Sequence, residues 1–267
     1  MFNLMKADLY KLRKSTAIQI FLGIMCLSAV LVTVISYLLA QGRLGMEISG
    51  TASLLSDAAM VSIIGSIIAG IFICGDFENK TIHNAVLCGT GRGTVMVAKA
   101  LVYFFVIALM VLPYSVITGI AFCTGYEFGT PFVASVFLDI LANESGLQVT
   151  LPLIVKLCAI MLTMMIVYAA QLSICVLLAF VLKKKPVLVV GIGVIVSMLL
   201  AQATLLKESY PSWGTVFSYT PFAIGYPPLM TLDAAPSDFI KAILVSLVFI
   251  AIMLAITYIT FRRTELK

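Results

Sequence analysis

The residues able to do chemistry in this sequence are few. There is one histidine among 267 residues, and there are six cysteines. A single glycine-rich run, Gly89-Thr90-Gly91-Arg92-Gly93, has the glycines of a phosphate loop. Its context is wrong for one: no strand-like segment precedes it, and the Lys-Ser/Thr ending of the Walker pattern is absent. It reads as a tight turn between two helices. His83 has no Cys or carboxylate partner at metal-ligand spacing and reads as a solvated loop residue. Cys26, Cys74, Cys123, Cys158 and Cys175 fall inside or at the edges of apolar runs, where Cys behaves as a small hydrophobe, and no disulfide framework is implied. With no activated nucleophile, metal cluster or paired carboxylates, catalysis is not expected of this chain, nor a metal or cofactor. ATP and Mg, if used, belong to a partner.

The elements that must position these residues are membrane helices. Apolar residues make up 62% of the sequence and charged ones 11%, against roughly 25% charged in an average soluble domain. A hydrocarbon core of about 30 Å needs about 20 apolar helical residues. Charge-free runs of that order occupy 17–40, 100–126, 157–182, 186–206 and 242–261, the corresponding spans being 17–40, 100–125, 157–182, 186–206 and 241–261. A sixth, 53–75, carries only Asp57, near one end, where a carboxylate could reach interfacial water. The expected fold is an all-α membrane domain of six transmembrane helices over 1–267, preceded by an interfacial helix at 1–15. The first run is too long for a signal-peptide core and reads as a retained helix.

An even number of spans puts both termini on one side. Lys6, Lys11, Arg13, Lys14, Lys80, Arg92, Lys99, Lys183, Lys184, Lys185, Arg262, Arg263 and Lys267 share that side with four acids. Arg43, Lys156, Lys207 and Lys241 share the other with eight. The basic side is expected to be cytoplasmic, in a multi-pass plasma-membrane protein. The cations lie in membrane-proximal segments, where attraction to anionic lipid accounts for them and nucleic acid need not be invoked.

Within 1–14, Met1, Phe2, Leu4, Met5, Leu9 and Leu12 share one helical arc, and Asn3, Lys6, Lys11, Arg13 and Lys14 the other. Asp8 alone breaks the pattern. This suits an amphipathic helix lying on the membrane, with Lys6, Lys11, Arg13 and Lys14 on lipid; a basic leader that merely fixes topology is the alternative. The outer connection 207–238 is rich in Pro and aromatics, and Trp213, Phe217, Tyr219 and Phe222 could form an outer gate or only an aromatic belt. Rows of small residues, Ser62, Ser66 and Gly70, then Gly193, Ser197 and Ala201, read as close helix packing. Pro113 is expected to kink its helix. No ionisable group falls inside the charge-free runs, which weighs against an ion-coupled transporter. Gln171 and Gln202 are the most polar residues there, and interhelical hydrogen bonding explains them as well as substrate contact does.

The segment 75–99 carries an acid three positions before a Thr, a short helical stretch, a Gly-containing turn, an Arg and a Lys opening the next helix. These are Glu78, Thr81, Gly89, Arg92 and Lys99. In this the chain resembles the ABC type-2 permease family, including small permeases of bacterial peptide-antibiotic immunity exporters. Lys80 departs from the pattern, standing where the family commonly has Gly. The resemblance implies a transmembrane exporter subunit that pairs with a second permease copy or a sister permease and docks a cytoplasmic ABC ATPase. It also implies a re-entrant outer gate before the last span. The docking element would be Phe77 to Arg92. A short helix from 79 to 87 would present Ile82, Val86 and Leu87, with Phe77, Glu78, Asn79, Thr81 and Arg92 around it. A secondary transporter or channel is the alternative, and the substrate is expected to be an antimicrobial peptide.

Overall fold

The computed structural model describes residues 1–44, 54–129, 136–143, 150–203, 219–224 and 234–263, and these are helical with no strand among them. Ten helices follow in order. They are α1 (Phe2–Lys14), α2 (Thr16–Ala40), α3 (Asp57–Glu78), α4 (Thr81–Leu87), α5 (Arg92–Cys123), α6 (Val136–Asn143), α7 (Leu151–Leu182), α8 (Pro186–Ala203), α9 (Pro221–Ile224) and α10 (Pro236–Arg263). Five of them, α2, α3, α5, α7 and α10, are long and apolar enough to cross a membrane, and α8 is a shorter apolar helix. This is the architecture of a multi-pass membrane protein.

Three long helices, α3, α5 and α7, are largely buried, whereas α2 and α10 show most of their apolar surface to the surroundings. In lipid such surface is no liability, so cohesion must come from close approach and polar contacts rather than from expelling water. The rows of small residues supply the first. A Cβ on Gly193 of α8 would stand 2.7 Å from Ser66 Oγ of α3 and 2.8 Å from Cys175 Sγ of α7. One on Gly65 would collide with Leu172 Cδ1 of α7. Gly193 of one row thus meets Ser66 of the other, a close approach of the kind the rows were read for. Ala201 and Gln202 lie outside the described side chains.

Helix α3 is not uniform. Residues Gly70–Cys74 form a π turn, in which the Gly75 N–H reaches back to the Gly70 carbonyl, before the helix resumes to Glu78. Helix α5 runs on through Pro113. It also begins at Arg92, two turns before the expected 100, which brings Lys99 inside the helix. The short helix after α3 starts at Thr81, not at 79. The shift has a local cause: Lys80 takes a left-handed conformation, φ 56 and ψ 16, and its N–H bonds the Phe77 carbonyl, so it ends one helix before the next begins. That is the conformation Gly adopts without steric cost, at the position where the family resembled commonly has Gly.

Helix α4 ends in a Schellman motif. The Thr90 N–H bonds the Ala85 carbonyl, the Gly89 N–H bonds Val86, and Gly89 has φ 87. The glycine run is therefore a helix-to-helix turn. The six cysteines are free.

Candidate functional site at the basic end of the bundle

The end of the bundle that carries the N-terminal helix holds a buried group of charges. Lys99, one residue from fully buried Ala98 and Ala100 on α5, is itself 1% exposed. Its Nζ donates to Asp8 Oδ1 of α1 at 2.6 Å and to Asp76 Oδ2 of α3, and it stands 4.6 Å from the centroid of the Phe72 ring. Lys11 Nζ completes the group by donating to Asp76 Oδ1 at 2.5 Å. Lys99, Asp8 and Asp76 are buried and Lys11 is half exposed, so the two carboxylates face two ammonium groups and the charges balance, which is the condition under which charges tolerate burial. Burial pushes the Asp8 carboxyl above its ordinary value, while the Lys99 ammonium pulls the other way.

Asp8, the residue that broke the amphipathic pattern, is thus the one that ties α1 to the bundle. Leu12 is buried beside it, and Leu4, Met5 and Leu9 pack against the core. Phe2, by contrast, is exposed. Of the four cations assigned to lipid, Lys11 has a protein partner instead, because Asp76 needs a second donor. Lys6, Arg13 and Lys14 are exposed.

An aromatic triad lies next to this group. The rings of Phe77 (α3), Phe180 (α7) and Phe261 (α10) meet edge to face with centroids 5.4, 6.1 and 5.1 Å apart. Such contacts add about 0.5–1.5 kcal/mol per pair beyond simple burial. Arg92 donates to the Arg262 carbonyl at 2.9 Å and to the Phe261 carbonyl at 3.4 Å. It satisfies carbonyls left open at the last turn of α10.

The residues assigned to docking therefore divide. Phe77 and Ile82 are buried in the chain's own core, Ile82 at 1% exposure. Neither can be offered to a partner, and Ile82→Asp would test folding rather than docking. Arg92 and Val86 are half-buried, whereas Glu78, Asn79, Thr81 and Leu87 are exposed. His83 is half-buried, and no group of metal-binding side chains occurs among the described residues.

The far end holds a second polar group that the sequence misplaces. Asp57, expected to reach interfacial water, is fully buried, and Tyr168 donates its hydroxyl to Asp57 Oδ2 at 2.7 Å. Nearby, the Tyr114 hydroxyl donates to the Leu55 carbonyl at 2.6 Å and shares a 2.8 Å bond with Ser28 Oγ. Tyr168 stands midway along α7 and Ser28 midway along α2, so Asp57 lies well inside the bundle. Asp139 of α6 is close enough to feel it: burial pushes its carboxyl up to about 7, and the Asp57 charge adds to the rise. Of the outer-gate residues, Tyr219 is exposed, and Phe222 is buried with its ring 6.3 Å from Phe249 of α10. The Pro221 carbonyl accepts from Gln171 Nε2 of α7 at 3.2 Å. Gln171 thus bonds a connecting segment, which therefore reaches the middle of α7. Trp213 and Phe217 lie outside the described residues.

Comparison of the chain with known protein families, curated proteins and solved structures gives no match. Its function has to be argued from these two sites.

Proposed function

We propose that this chain is the membrane-spanning subunit of an ATP-driven exporter of the ABC type-2 permease kind. It would have six spans, with α8 completing the set, and both termini in the cytoplasm. It would lie in the plasma membrane beside a second permease copy or sister permease, with α1 on the lipid surface. ATP and Mg would be bound by a separate cytoplasmic ATPase.

One observation carries the reading. The segment from Asp76 to Arg92 presents an exposed face, Glu78, Asn79, Thr81 and Leu87, on a base wired to four other helices. The wires are Asp76 to Lys99 of α5 and Lys11 of α1, the Phe77–Phe180–Phe261 stack, and Arg92 on the end of α10. A push on that face reaches α1, α5, α7 and α10 at once.

The test is the pair Leu87→Asp and Glu78→Ala in the complex reconstituted with its ATPase. Both side chains are exposed, so folding is expected to be unchanged, while association and ATP-driven transport fall several-fold. Wild-type copurification and transport in both variants would remove this face from the coupling path. For the substrate we propose an antimicrobial peptide, on the resemblance and on the excess of acids in the outer connections, since complementary charge speeds encounter. Unchanged peptide sensitivity of a strain lacking the chain would count against that substrate alone.

A secondary transporter or channel is the second reading. It is supported by buried Asp57 and Asp139, because acids inside a bundle are the usual mark of ion pathways. Transport that persists without ATP but collapses with the proton gradient would select it.

A further inference from the structure

A groove about 300 Å³ in volume runs between α5 and α7 in the far half of the bundle. Ser115, Gly119 and Cys123 line it from α5, Leu153, Leu157 and Met161 from α7, and Phe137 of α6 stands alongside. The α5 residues recur every fourth position, like the rows on α3 and α8, yet they do different work. A Cβ on Gly65 or Gly193 would collide with a neighbouring helix, whereas one on Gly119 would meet nothing within 4 Å among the described residues. Small side chains here open a channel instead of closing a contact. The channel also opens sideways, since Val116 and Ile154 on its walls are exposed, and in a membrane protein that side is lipid.

The shape and chemistry of the groove limit what fills it. Ser115 spends its hydroxyl on the Leu112 carbonyl of its own helix, so the walls offer little to a polar ligand. Helices α5 and α7 are antiparallel, because Arg92, which opens one, and Phe180, near the close of the other, both lie against Phe261. The groove therefore follows both axes, from Cys123 and Leu153 to Ser115 and Met161, eight residues or about 12 Å. One leaflet of a hydrocarbon core is about 15 Å deep, so the groove has the length and direction of a single acyl chain. A charge stands beside it. Lys156, between the lining residues Ile154 and Leu157, is half-buried and has no ion-pair partner among the described residues. A lysine so placed lays its stem on apolar surface and sends its ammonium group to the interface, the level of lipid phosphates. We propose that the groove binds an anionic phospholipid, one acyl chain lying between α5 and α7 and the headgroup paired with Lys156. The site requires a membrane but neither an ATPase nor a transported peptide, so it stands or falls separately from the exporter reading.

Photocrosslinking of the full chain in lipid nanodiscs tests it. The probes are phosphatidylglycerol and phosphatidylcholine with the same diazirine-bearing acyl chain, each at trace level in one unlabelled lipid mixture, and peptide mass spectrometry reads where they attach. Phosphatidylglycerol adducts on 115–123 and 153–161 are expected to exceed, several-fold, those on the exposed face of α10 between Leu244 and Ile256. Gly119→Leu, which places a side chain in the groove without a clash, should lower the groove adducts several-fold and leave those on α10 unchanged; Ser115→Leu should do the same from the other end. Lys156→Gln should bring phosphatidylglycerol labelling of the groove down to the phosphatidylcholine level and leave phosphatidylcholine labelling as it was. Equal labelling of the groove and α10 would make the lipid here part of the ordinary annulus and overturn the site. So would groove labelling that neither filling variant lowers, or labelling indifferent to both the headgroup and Lys156→Gln.

Discussion

Two buried polar groups lie at different levels of the same bundle, and they manage charge in opposite ways. At the basic end, Lys99 and Lys11 face Asp8 and Asp76, and the sum is zero. At the far end, Asp139 is buried with its Oδ2 unpartnered among the described residues, and Asp57 accepts the Tyr168 hydroxyl. A neutral cluster is complete as it stands; its work is mechanical, joining three helices that are far apart in sequence. A buried carboxyl without a matching donor is pushed toward its protonated form. The difference separates a joint from a group that titrates.

The largest effect should come from breaking the joint. Lys99→Met strands Asp8 and leaves Asp76 with Lys11 alone, and losing one partner of a buried pair costs about 3–5 kcal/mol. Sharp loss of thermal stability in detergent is expected, partly recovered by adding Asp8→Asn and Asp76→Asn. A small loss would mean that the cluster is wetter than its burial implies.

The far site should respond to pH instead. The Asp139 carboxyl rises from 3.8 to about 7 on folding, so between those values the folded chain holds more protons than the unfolded one. Its contribution to stability is full below the lower value and is lost as pH climbs through the window, levelling off above it. Asp139→Asn should flatten that slope. An unaltered slope would assign the pH dependence to other groups.

The smallest effect belongs to the link between α3 and α4. Lys80→Gly removes a left-handed strain of about 1–2 kcal/mol but loosens the unfolded chain by nearly as much. A gain of at most about 1 kcal/mol in chemical denaturation is expected; a loss would show that the Lys80 side chain contributes contacts of its own.

The apolar runs, the glycine turn and the close packing at the rows of small residues were legible because each depends on local pattern: length, φ and period. Asp8 was legible only as an exception. Its reason is Lys99, 91 residues away, and no local rule joins the two. Asp57 was misjudged for a related cause. Hydropathy locates the end of an apolar run along the chain but not its depth, and α3 starts beside the middles of α2 and α7. Ile82 and Phe77 looked like docking residues because an apolar side chain on or beside a short helix has the same signature whether it meets a partner or its own core.

The π turn at Gly70–Cys74 makes α3 a counting device. A π turn winds one extra residue into the helix, so the segment beyond it is rotated by about 100° from where a plain helix would carry it. Upstream, Ser66 and Gly70 look toward α8; downstream, Asp76 looks toward Lys99 and Phe77 toward the aromatic triad. Remove one residue from the turn and the helix could heal into regular geometry with hardly any change in length or hydropathy. Asp76 and Phe77 would then point the wrong way. Such a stretch tolerates a changed letter better than a lost one, and deletions between 70 and 74 should be harsher than any single substitution among them.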